Sequence, residues 1–153
     1  MKRWITTLLA AMAVLATMAL PASAAPANKG TTFIAPSEIT ASVLVDVINP
    51  FTAGENGVGF GVVGNPTDGT IEHVGGLVVY SPAMDKELKL KNFTIDLDSG
   101  YITALVPGIG RAPLFMLDGL TLRFTETASQ VLLGNSDITG AVAGTATPDW
   151  PFI

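Results

Sequence analysis

Hydrophobic and polar positions alternate in short runs along most of this chain, and turn residues interrupt the runs every few positions. The clearest run covers 86–97. Leu88 and Leu90 alternate with Lys89 and Lys91, after which Phe93, Ile95 and Leu97 fall on odd positions. Side chains of a strand point to opposite faces with a period of two, so both sets share a face only if one residue is inserted. The pattern predicts a β-bulge near Lys91-Asn92. Asp98-Ser99-Gly100 then reads as a turn, and Tyr101 to Val106 as the returning partner of a hairpin, ended by Pro107-Gly108.

Other stretches follow the same rules. Thr31 to Ala35 and Val58 to Val63 read as short strands, the second interleaved with glycine. Thr70 to His73 and Leu77 to Tyr80 flank Gly75-Gly76, which predicts one strand carrying a bulge or a close backbone approach. Arg111 to Leu117 is a further strand, whose unbroken apolar end, Leu114 to Leu117, predicts burial on both faces. Leu120, Leu122 and Phe124 alternate cleanly with Thr121, Arg123 and Thr125. Ile138 to Thr145 reads as the last strand, and the tail from Trp150 to Ile153 is expected to dock on the domain.

Helical signals are few. Ser37 is placed to cap a helix beginning at Glu38, but Val43, Val45, Val47 and Ile48 favour strand, leaving 38–48 open between the two. Thr125 to Leu133 reads as one short helix stopped by Gly134-Asn135. The expected fold is mainly β: an antiparallel β-sandwich or partly open barrel with one or two short helices.

The N-terminus departs from this pattern. Lys2 and Arg3 precede an apolar stretch from Trp4 to Leu20, followed by Pro21 and the small-residue site Ala22-Ser23-Ala24. These three parts predict a cleaved signal peptide over 1–24, cut after Ala24. Pro21 and the lack of a basic stop-transfer flank argue against a membrane anchor, and no later apolar run is long enough to span a bilayer. Residues 25–31 read as a flexible leader and 32–153 as a single β-rich domain, secreted or held in the cell envelope.

Composition narrows the chemistry. Of 153 residues, 129 remain after such a cut, enough for one domain with a real core. Six basic residues, scattered along the sequence, then face thirteen acidic ones, a net charge of −7. This balance argues against nucleic acid or anionic lipid as a partner. The chain has no cysteine, which excludes disulfides, thiol catalysis and cysteine-ligated metals.

Candidate site residues are correspondingly sparse. His73 is the only histidine, no nucleophile elbow accompanies it, and a turn-proximal residue bonding to backbone is the preferred reading. Asp96 and Asp98 share a strand face; a carboxylate pair for hydrolysis and a calcium turn are weaker readings than acidic residues closing a hairpin. Asn92-Phe93-Thr94 is a glycosylation sequon. Arg111 is a lone cation among apolar residues, able to anchor an anionic ligand but expected to pair with a carboxylate. Tyr80 and Tyr101, the only tyrosines, read as core-edge residues.

The run from His73 to Ala146 resembles a group of secreted, β-rich bacterial domains of actinobacterial type. The pieces come in order: His73 with Gly75-Gly76-Leu77; Leu88 and Leu90 with Asn92-Phe93, Ile95 and Asp96; Thr103-Ala104; and Arg111 with Pro113-Leu114-Phe115, Leu117 and Asp118. Leu120 to Leu122, Thr127-Ala128 before Leu132, and Gly144 to Ala146 complete the series. The pattern is also distantly similar to the haem-transport-associated (HtaA-type) domain, which binds haem through a tyrosine. That resemblance implies haem or a small apolar ligand, with Tyr80, Tyr101 and His73 as the candidate axial ligands. The tryptophan- and serine-containing opening motif of that family is absent here. The residues themselves favour a non-enzymatic binding or envelope module, with a secreted hydrolase as the weakest alternative.

Overall fold

The computed structural model describes residues 29–54, 57–64 and 68–150. The expected signal segment with its cut, the leader as far as residue 28, parts of the turns at 54–57 and 65–69, and the tail beyond Trp150 lie outside them. Eleven strands are described: β1 Thr31–Pro36, β2 Leu44–Ile48, β3 Thr52–Gly54, β4 Gly57–Val63, β5 Thr70–His73, β6 Gly76–Ser81, β7 Lys86–Asp96, β8 Tyr101–Val106, β9 Gly110–Asp118, β10 Thr121–Phe124 and β11 Val142–Asp149. A short helix α1 (Glu38–Val43), a π-helical segment (Thr127–Leu132) and a 3-10 turn (Ser136–Ile138) accompany them. No helix among the described residues is long and apolar enough to cross a membrane.

Of the two expected architectures, the barrel is the one formed. The sheet runs β7-β5-β4-β1-β11-β10-β9-β8, every pair antiparallel, and β8 returns to β7 to close eight strands on themselves. An eight-stranded barrel has an interior just wide enough for side chains to fill. One belt of that filling runs across five strands, with Ile71 opposite Ile95, Ile95 opposite Ile102, Ile102 opposite Phe115 and Phe115 opposite Phe124. Removing each such side chain from water stabilises the fold by roughly 1.5–3 kcal/mol.

β7 is the longest strand and belongs to two structures at once. Its second half pairs with β5 inside the barrel, while Lys86–Lys91 pair with β6, which in turn carries β2. Residues 70–81 therefore run along one side of β7 as a strand interrupted at Val74-Gly75. The interruption needs glycine. Gly75 has φ +95°, and a Cβ at Gly76 would lie 2.0 Å from the carbonyl oxygen of Leu90. The expected bulge in β7 is present: the register with β8 shifts between Lys91 and Thr94, and Asn92 takes a φ of 55°. It brings both Leu90 and Ile95 into the core.

The ambiguous segment 38–48 is helix and then strand. Ser37 accepts from the Thr40 amide at 3.4 Å to cap α1, and the backbone turns extended at Leu44, where the β-branched residues begin. Two expectations are corrected. The last strand starts at Val142, because Ile138 belongs to the 3-10 turn capped by Asn135, and it continues to Asp149. Pro148 is tolerated there because β11 pairs only with β1 at that level. Leu114 to Leu117 is not buried on both faces. A bulge opposite Ile102-Thr103 turns Leu114 and Phe115 inward together, and Met116 points outward.

Candidate functional site

His73 closes β5 and points into the barrel, 6% exposed. Its Nδ1 lies 3.1 Å from the Phe93 carbonyl, which can only accept, so Nδ1 carries the proton. Nε2 then accepts from the Thr32 hydroxyl at 2.6 Å, and Thr32 Oγ1 accepts the indole N–H of Trp150 at 3.0 Å. Burial pushes the imidazole down to about 4, against the opposing effect of backbone bonds to Phe93 and Ile71. The ring is neutral near pH 7, with both nitrogens engaged. It bonds to backbone as expected, but from the core rather than from a turn.

The other sequence candidates are dispersed. Tyr80 sits near the start of the β6–β7 hairpin and donates its hydroxyl to Asp85, whose carboxylate raises the phenol above its usual range. Tyr101 opens β8 on the outer face, 41% exposed, opposite Met116. Tyr80 pairs with Glu87, near one end of β7, and Tyr101 lies beyond the other end. At about 3.3 Å per residue this separates them by roughly 30 Å along the strand. His73, Tyr80 and Tyr101 do not converge on one point of the fold, and His73 has both ring nitrogens engaged.

Asp96 and Asp98 close the β7–β8 hairpin. Asp96 Oδ1 accepts the amides of Asp98 at 2.9 Å and Ser99 at 3.2 Å. Those bonds, Ser99's foremost, hold its carboxyl below the ordinary range. Its role is that of a turn acceptor. No group of three or more His, Asp or Glu residues able to hold a metal occurs among the described residues.

Arg111 does not pair with a carboxylate. Its Nη1 reaches the carbonyl of Asn92 at 3.0 Å and the hydroxyls of Thr103 at 3.0 Å and Thr94 at 3.3 Å. The β7 bulge interrupts the ladder to β8 at Asn92, and a guanidinium from β9 supplies the donor its carbonyl would otherwise lack. Among the described residues the one ion pair is Arg123 with Asp118.

A groove on the outer wall is lined by none of the six candidates described above. β8 meets β7 at Lys91 and no further toward the start of β7, so a groove of ≈ 680 Å³ separates that half-strand from the β8–β9 turn. Lys89, Lys91 and Asn92 line one side. Leu105, Val106 and Ile109 line the other, with Pro107 and two glycines at the tip. Leu105 (39%) and Ile109 (42%) are exposed there, and Arg111 pairs directly with Leu105. The fold thus brings Arg111 of β9 across Leu105 toward Lys91 and Lys89 of β7. The alternation of Lys89 and Lys91 with buried Leu88 and Leu90 signals that the lysines face outward, but their meeting with Leu105 and Ile109 depends on barrel closure. Comparison of the chain with protein-family models, with curated proteins and with solved structures found no match.

Proposed function

We propose that the chain is a secreted, non-enzymatic binding module that holds its partner on the outside of the barrel, at the groove between β7 and the β8–β9 turn. The observation carrying this reading is the contrast between the two sides of the wall. Inside, side chains fill the barrel and the only imidazole is bonded at both nitrogens. Outside, the groove combines exposed aliphatic side chains with cations that have no carboxylate partner. Binding sites characteristically pair apolar lining with a few placed polar groups. The signal-like N-terminus and the resemblance of His73–Ala146 to secreted bacterial domains support an extracellular or envelope setting.

The test is native mass spectrometry of the protein recovered from the medium or envelope of its own host. The expected result is a chain starting at Ala25 that carries a reproducible additional mass, lost when Leu105 and Ile109 are changed to Ser. A chain retaining residues 1–24 overturns the secreted part of the reading. A chain that carries no bound mass and also takes up no ligand at the groove in solution overturns the binding part.

A further inference from the structure

The groove adjoins an open strand edge. Lys86–Lys91 pair with β6 on one side of β7, whereas on the other side β8 reaches only Lys91. Among the described residues, the amides and carbonyls of 86–90 that face away from β6 therefore have no ladder partner, and this edge runs into the groove at Lys89. Such an edge is a template for another extended chain. Here it carries Lys86, Lys89 and Lys91 against Glu87 alone, so a second copy of the same edge meets a like net charge. Lysines of this kind guard an edge against its own kind while favouring an oppositely charged strand.

Resting on the binding-module reading, we infer that the groove takes an extended acidic peptide segment, which adds as a strand to the free edge of β7. Backbone pairing with 86–90 supplies the register. Side chains of the peptide alternate between two faces. On the outer face its carboxylates meet Lys89 and Lys91, with Arg111 completing the positive field, and an apolar residue rests on Leu105 and Ile109. The acidic remainder of the surface repels such a segment elsewhere, which confines it to this site.

The experiment is an NMR titration of the exported chain with three blocked hexapeptides: alternating Asp and Val, the same peptide N-methylated at alternate residues, and alternating Lys and Val. The Asp–Val peptide is expected to shift the amides of 86–91 and protect them from exchange. Affinity should fall at least tenfold on N-methylation and again for the Lys–Val peptide. The pair Lys89→Glu and Lys91→Glu should reverse the preference between acidic and basic peptides. Equal binding of the N-methylated peptide would reduce the effect to charge attraction and overturn strand addition, as would shifts confined to other residues. Concentration-dependent protection of 86–91 without peptide would point to a second copy. Sedimentation with phosphatidylglycerol vesicles, without peptide binding, would point to a lipid surface. A bound mass on the exported protein with no response at β7 sinks this inference alone, whereas failure of both measurements removes the binding-module reading as well.

Discussion

Thr32 and His73 meet inside the barrel at 2.6 Å, and the one hydroxyl between them serves two rings, accepting from Trp150 and donating to the imidazole. This hydroxyl ties β1, β5 and the residue after β11 into one buried chain of bonds that ends on the Phe93 carbonyl. Replacing it with a methyl group of similar shape removes the hydroxyl that donates to Nε2 and accepts from the indole N–H. Thr32→Val should therefore cost about 1–3 kcal/mol. Urea unfolding measures this directly. In protein prepared from Ala25 onward, Trp150 is the sole tryptophan and its fluorescence reports on this site.

The depressed imidazole makes stability depend on pH. The unfolded chain takes up a proton at His73 near 6.5, whereas the folded one resists until about 4. Its contribution is intact above 6.5, declines as pH falls through that window, and is lost below 4, a change of about 3 kcal/mol. Asp96 acts in a lower range, because its depressed carboxyl contributes stability that is lost only below the ordinary 3.8. Unfolding free energies measured at intervals from pH 7.5 to 4 should show this decline, and His73→Gln should flatten it. A wild-type profile that is level between 6.5 and 4 would refute the assignment.

The bulge in β7 and the guanidinium from β9 act as a unit. Arg111→Ala should lower stability by about 1 kcal/mol and speed amide exchange around 92–94, since Asn92 loses its donor. Arg111→Lys should recover only part of this, because one ammonium cannot reproduce the geometry of a planar fork across three acceptors. Hydrogen exchange read by NMR separates local loosening from global unfolding.

Two glycine replacements should differ sharply. A Cβ at Gly76 meets the Leu90 carbonyl at 2.0 Å, backbone against backbone, so Gly76→Ala should cost more than about 2 kcal/mol. Gly108, at the tip of the β8–β9 turn, has open space around it and only a φ of +80° to resist a side chain. Gly108→Ala should cost about 1 kcal/mol. Thermal unfolding of the two variants side by side tests the ranking.

Local features were legible in the sequence and long-range ones were not. The β7 bulge could be read because Leu88 and Leu90 differ in parity from Phe93 and Ile95, a mismatch contained within a few residues. The Tyr101–Val106 return strand and the glycine approach at Gly75-Gly76 rest on equally local signals. The outward turn of Met116 is not legible, because an apolar run looks the same whether it is doubly buried or, as here, straddles a bulge. Ile138 reads as strand because a β-branched residue carries no mark of the 3-10 turn that holds it. Barrel rather than sandwich turns on whether β8 returns to β7, and alternation satisfies both. Of the candidate site, the sequence supplied isolated side chains. His73 is legible as the sole imidazole, but its burial depends on β1 and Trp150 closing over it. Lys89 and Leu105 became neighbours of one groove only through the closed sheet.

The pairing of β1 with β11 has a consequence in time as well as in space. Thr31 lies opposite Asp149, and the Thr32–Trp150 bond spans 118 residues, so the seam joining the two halves of the wall uses the first and last strands of the domain. Contacts of such sequence separation form late and slowly. Hairpins can form as the chain emerges, but the ring cannot seal until its final strand is free. A chain threaded outward N-terminus first would therefore stay unlocked throughout its passage and acquire its finished shape only on the far side.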